Sequence, residues 1–190
     1  MKNFTKFLGG NRSGMLKVLL VVIGMVWGGS IYSQTDIFSE TFDGVNSWTT
    51  VGNFAVGAPV SGNTVTTTRS GTNILGTVLN GNYAPSITEA NNYAISSSIN
   101  CSGYHTITLK YYSYSLWEAA NCNYDFGGVY YSTDNGSTWS SVAETVCATE
   151  SAYTLHTVNL TNAIDKSQVL LKFTILKTAF QKGMFSKQTK

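Results

Sequence analysis

Few side chains in this sequence are of a type that does chemistry. Ten acids and two histidines are spread over 190 residues. Glu118 and Asp125 stand at the two ends of the loop 119–124. Two carboxylates flanking a cleft would be the minimum for glycoside hydrolysis, but acids at loop ends more commonly serve the turn and solubility. His105 and His156 are isolated, with no cysteine or acid at the spacing of a zinc site. Glu40 and Asp43 flank Phe42. Calcium takes about six to eight oxygens, of which these two carboxylates would supply a part. A Ca²⁺ site at Glu40 and Asp43 and a pair of solvated acids both remain open. No G-x-S-x-G, phosphate-binding loop or H-E-x-x-H occurs. The chain therefore reads as non-enzymatic, with Ca²⁺ as its one candidate cofactor.

Aromatic residues make up 13% of the chain and charged residues only 12%, so stacking and hydrogen bonding are better supplied than acid–base chemistry. Tyr112, Tyr114, Trp117 and Tyr130 are the candidate ligand contacts, since aromatic rings suit the apolar faces of sugars. The same rings are also what a β-sheet core uses. On one strand Ile107, Leu109 and Tyr111 share a face, and Tyr112, Tyr114 and Leu116 share the other. Apolar content on both faces predicts a central strand of a packed sandwich; an exposed aromatic platform is the alternative.

The most informative segment is Ser132-Thr-Asp134-Asn-Gly136-Ser-Thr138-Trp139. Asn-Gly inside it predicts a hairpin turn. Asp134 is placed to accept backbone N–H groups across that turn, and Gly136 to supply a positive φ. Thr138 is expected to restart the ladder and Trp139 to fold over the hairpin. If Thr133 pairs with Thr138, Cys147 falls opposite Tyr124 and Cys122 lies two residues away. That predicts a Cys122–Cys147 disulfide and leaves Cys101 as a buried small hydrophobe.

These residues need strands to hold them. Runs rich in β-branched and aromatic residues, separated by Gly, Asn and Ser, occupy 37–42, 53–56, 64–68, 93–99, 106–117, 126–133, 139–146, 153–160 and 169–173. Residues 88–93 and 162–166 each have room for a helical turn. Nine short strands with frequent turn signals predict an all-β antiparallel sandwich, or jelly roll.

The pattern S-x-D-x-G-x-T-W at 132–139 is complete at every defined position and resembles the Asp-box. In sialidases, which carry repeated Asp-boxes, these hairpins lie away from the catalytic site. One copy here therefore implies a folding element, and the arginine cluster and tyrosine nucleophile of that family are missing. Around it, Phe38-Ser-Glu40-Thr-Phe42, Trp48, Gly57-Ala-Pro59, residues 76–83, 99–103 and 125–132 follow in an order similar to the MAM-like, concanavalin-type jelly-roll modules of secreted bacterial proteins. That resemblance covers roughly 37–173. It implies binding or adhesion to a surface glycan or protein, or an accessory role in a larger exported adhesin or peptidase.

The two ends differ from the middle. Lys2, Lys6, Arg12 and Lys17 precede the apolar run 18–27, and small residues follow, the layout of a secretory signal. Ten apolar residues reach only about 15 Å as a helix, half the ~30 Å bilayer core, so the membrane is met only during export. Cleavage is expected after Ser33, and Met15 is a second candidate start. Residues 34–173 hold Arg69, Lys110, Lys166 and Lys172 against all ten acids, a net charge of −6, which disfavours nucleic acid as a partner. Residues 174–190 then carry four lysines and no acid. That break predicts an atypical tail and a reading frame truncated or shifted after Phe173, with the sandwich lacking its last strand. The competing reading makes 174–185 that strand.

Overall fold

The computed structural model describes residues 34–60, 65–81, 86–115, 125–142 and 149–177. The predicted signal at 1–33 and the proposed disulfide partners Cys122 and Cys147 lie outside these residues, as do Trp117 and Glu118. Within them the chain is an all-β antiparallel sandwich. Its strands are β1 (Thr49–Val51), β2 (Phe54–Gly57), β3 (Ile74–Thr77), β4 (Tyr93–Ile95), β5 (Thr108–Ser115), β6 (Asp125–Ser132), β7 (Ser140–Ser141), β8 (Glu150–Asn159) and β9 (Leu170–Lys177). They form a five-stranded sheet in the order β1-β4-β9-β6-β7 and two hairpin-like pairs, β2-β3 and β5-β8.

The five-stranded sheet turns Ala94, Val129, Leu171 and Phe173 inward, into one buried cluster with Trp48, Ile99, Cys101 and Val169. Leu109, Tyr111 and Val158 of the β5–β8 pair pack onto it. Aromatic edges knit the layers: Trp48 lies 5.7 Å from both Phe42 and Phe173, and Tyr111 meets Phe173 at 5.6 Å. Burying each large side chain of this kind contributes roughly 1.5–3 kcal/mol. Cys101 is 1% exposed, as expected, and burial pushes its thiol pKa up.

Several expected strands change on folding. Residues 37–42 form no strand. Phe42 has φ 65°, outside extended geometry, and its N–H is taken by Glu40 Oε1 at 2.7 Å. The segment covers Trp48 as a loop instead. Of the run 64–68, residues 65–68 are also loop, with Thr68 Oγ1 donating to the carbonyl of Gly71 at 2.8 Å. β4 ends at Ile95 because Ser96 Oγ accepts the N–H of Leu171 at 2.9 Å in place of a ladder carbonyl. β1 and β3 were not among the expected runs.

Among the described residues β5 is likewise not a central strand. It pairs there with β8 alone, and Tyr112 on its far face is 44% exposed. The composition break at Phe173 does not end the fold either. β9 continues to Lys177, with Gly127 opposite Ile175 and Tyr93 opposite Thr174. Thr174 and Ile175 are 4% and 2% exposed, so the strand crossing the predicted tail boundary lies at the centre of the sheet.

Candidate functional site

The turn joining β6 to β7 is built around one carboxylate and one hydroxyl. Asp134 Oδ1 accepts the Thr138 N–H at 2.8 Å and the Ser132 hydroxyl at 2.7 Å, while Oδ2 accepts Thr138 Oγ1 at 2.6 Å. Ser132 Oγ in turn accepts the Gly136 N–H at 2.8 Å. Hydrogen bonds to the charged form favour it. The Asp134 carboxyl is therefore held down at about 2, first by the Thr138 hydroxyl, then by the Thr138 N–H and the Ser132 hydroxyl. Asn135 and Gly136 take φ of 56° and 89°, which these residue types tolerate best. Tyr130 pairs with Ser141 and Tyr131 with Ser140, the register a Thr133–Thr138 closing pair dictates. Thr138 itself does not restart the ladder, which resumes at Ser140; its backbone and hydroxyl are spent on Asp134.

This turn delivers Trp139 to the outer face of the five-stranded sheet. Ile95, Lys172, Tyr130 and Ser141 stand opposite one another across β4, β9, β6 and β7, on the face away from the core. The Lys172 ammonium lies 4.2 Å from the Trp139 ring and 5.1 Å from that of Tyr130, within cation–π range. A single-turn helix, Glu89–Asn91, closes the side of the site. Asn92 fixes that turn: its amide donates to the Thr88 carbonyl at 3.0 Å, and its Oδ1 accepts the Asn53 side chain and N–H at 2.6 and 3.0 Å. Glu89 is thereby aimed at the sheet, where its Oε1 accepts Tyr130 Oη at 3.1 Å and Thr174 Oγ1 at 2.5 Å. Gly128 makes this approach feasible, since a Cβ there would fall 2.4–2.6 Å from Thr174, Tyr130 and Glu89.

The result is an open groove of about 450 Å³, lined among others by Trp139, Tyr93, Ile95, Asn135, Glu89 and Lys172. Burial lowers the pKa of Lys172, and the charge of Glu89 opposes that. Burial, the Glu89 charge and the Glu89 hydrogen bond together raise the pKa of Tyr130.

No family model matches this chain, and no curated protein or solved structure matches it.

The aromatic candidates within the described residues, Tyr112, Tyr114 and Tyr130, are not brought together. Tyr130 lies beside the groove, bonded to Glu89 and under the Lys172 ammonium, whereas Tyr112 and Tyr114 stand on β5. There Arg69 lies 4.4 Å over the Tyr112 ring, and Tyr114 meets Tyr153 edge-on at 5.5 Å. Trp139, expected only to cover its hairpin, faces the groove together with Tyr93. Glu89 and Lys172 carried no sequence signal, being a lone acid and a lone base in weak local patterns. They meet because β4, β6 and β9 are adjacent.

Glu40 and Asp43 are both engaged by protein donors. Asp43 Oδ1 accepts the N–H groups of Thr72 and Asn73 at 2.7 and 2.9 Å and the Thr72 hydroxyl at 3.0 Å. The Thr72 N–H first, then the Asn73 N–H and the Thr72 hydroxyl, lower its pKa. Gly71, with φ 61°, leaves space for this carboxylate. Among the described residues no three His, Cys, Asp or Glu side chains gather as a metal-ligating group. Asp125, expected as a solvated loop acid, is instead 1% exposed at the start of β6.

His156 is not isolated. Its Nε2 lies 2.8 Å from both Ser113 Oγ and Glu150 Oε1, and the Ser113 hydroxyl donates to Glu150 Oε2 at 2.5 Å. Along an extended strand, residues this far apart would be about 20 Å distant. The ladder slips between Ser113 and Ser115, where Ser113 pairs with Thr154 and Ser115 with Glu150, so β8 bulges and shortens the gap. Serine, histidine and an acid invite comparison with a hydrolytic relay, but that relay needs serine and acid on different ring nitrogens. Here both fall on Nε2, and Tyr111 stacks on the ring at 4.8 Å. The cluster ties β5 to β8 on the face that Tyr111 packs against the core.

Proposed function

We propose that this chain is an exported, non-catalytic binding or adhesion module that holds a surface glycan in the groove between Trp139, Tyr93 and Lys172. The observation that carries the reading is the convergence, on one rigid sheet face, of aromatic rings with a fixed carboxylate and a fixed ammonium around about 450 Å³ of open space. Small-ligand sites are of this size and use a few placed polar groups to fix the ligand's orientation. The basic and apolar pattern of residues 1–33 supports export, and the net charge of −6 over 34–173 argues for a ligand other than nucleic acid.

A glycan array probed with the exported chain tests it. Binding should be lost in Trp139→Ala and Lys172→Met and kept in Tyr112→Thr. Retained binding in both groove variants, with Tyr112→Thr inactive, would move the site to the other face.

A second reading makes the module an accessory domain of a larger exported protein. It is favoured by the exposed pair Tyr112 and Leu155, 44% and 49% accessible and directly opposed on β5 and β8. An apolar pair of this kind suits a protein contact.

A further inference from the structure

We infer that the groove selects an uncharged pyranoside, read by Glu89 as acceptor and Lys172 as donor on neighbouring hydroxyls; this rests on the glycan reading of the site. The lining contains one acid and one base, Glu89 and Lys172, among nine residues, so the charges that face the groove balance. The two groups are also held still before any ligand arrives. Glu89 receives Tyr130 and Thr174 on Oε1, and neither of those bonds uses Oε2. Lys172 is kept over two rings, 4.2 and 5.1 Å from their centres. A fixed acceptor beside a fixed donor suits a diol, in which one hydroxyl donates and the next accepts.

Charged sugars fit worse. A uronic acid brings a second carboxylate against Glu89, and an amino sugar brings a second ammonium against Lys172, in a site where burial already works against charge on the lysine. The remaining walls are Tyr93, Ile95, Trp139 and Leu170, which offer apolar surface to the C–H face of a sugar ring. A volume of about 450 Å³ lies toward the small end of the ~300–1,000 Å³ range of ligand sites, room for a short saccharide rather than a long polymer segment.

Isothermal titration of the full exported chain decides this, with methyl glucoside, galactoside and mannoside, their disaccharides, methyl glucuronide and glucosamine as probes. A neutral probe should bind best, with an affinity that changes less than about twofold while salt rises from roughly 0.01 to 1 M and the Debye length falls from ~30 to ~3 Å. Glu89→Gln, which retains a similar shape, should weaken the neutral probe about tenfold and strengthen the glucuronide, because the site then has a net positive charge. Near-ultraviolet circular dichroism checks that the variant keeps its packing. Tighter binding of glucuronide by the wild type, falling steeply with salt, would overturn the inference while leaving a glycan site in place. Neutral binding unchanged in a folded Glu89→Gln variant would also overturn it. If none of the probes binds, the glycan reading of the groove fails, and this inference fails with it.

Discussion

Asp134 gathers three donors on one carboxylate, two from Thr138 and one from Ser132, and that concentration has a pH signature. Its folded pKa of about 2 lies below the ~3.9 of an unfolded aspartate. The stability it contributes is complete above about pH 4 and is lost as pH falls through the folded value. The gap in urea midpoint between wild type and Asp134→Asn should therefore narrow as the solution is taken from about pH 5 toward pH 2. A gap that stays constant over that range would assign the loss to shape rather than charge. Gly136 makes a separate backbone contribution. A Cβ there would sit 3.4 Å from Leu170 and 3.6 Å from Trp139, ordinary contact distances, so its φ of 89° is what penalises a side chain. Gly136→Val should cost about 1–3 kcal/mol in chemical denaturation, and Gly136→Asn less, because asparagine tolerates the left-handed region.

At the scale of elements, β9 is the strand on which the sheet depends. It is hydrogen-bonded to β4 on one side and β6 on the other, and it supplies Leu171, Phe173 and Ile175 to the interior. Ile175, 2% exposed, should cost about 2–5 kcal/mol on truncation to alanine, read as a lowered thermal midpoint. Ending the chain at Phe173 removes the pairs from Gly128–Thr174 to Asp125–Lys177 and should abolish cooperative unfolding. A sharp, wild-type-like transition in that truncated chain would mean Thr174–Lys177 is dispensable. Gly128→Ala probes the junction between the sheet and the Glu89–Asn91 turn. Its methyl would displace Glu89 from Thr174 and Tyr130, so groove affinity should fall together with about 1–3 kcal/mol of stability.

At the scale of the molecule, the sandwich offers two different outer faces. The five-stranded sheet presents the groove, with its carboxylate, ammonium and rings. The β5–β8 pair presents Tyr112 and Leu155 beside Arg69 and Lys110, two of the four basic residues in 34–173. Replacing Leu155 with Thr removes no core contact and should change stability by no more than about 0.5 kcal/mol. If the face docks on another protein, the same change should reduce self-association or capture of that partner, seen by light scattering. A large drop in thermal midpoint would instead show that Leu155 is packed in solution.

What the sequence determined by itself lies in local chemistry. The hairpin at 132–139 was legible because Asp134, Gly136 and Thr138 act on a single turn, and the spacing of its residues sets the register of Tyr130 with Ser141. The antiparallel all-β class followed from β-branched and aromatic runs between turn residues, and the burial of Cys101 from its place between apolar segments. Only the tertiary structure decided which strands are neighbours. Glu89 with Tyr93, Trp139, and Lys172 come from three distant parts of the chain, and they form one groove because β4 and β6 both pair with β9. The same holds for Ser113, Glu150 and His156, joined by a slip in the β5–β8 ladder that no periodicity announces. Residues 37–42 read as a strand and became a loop, in which Phe42 packs on Trp48 with a φ of 65° that an extended strand does not allow. A period-two pattern reports which face of a strand a residue occupies, but not which other strand, or which element above it, will cover that face.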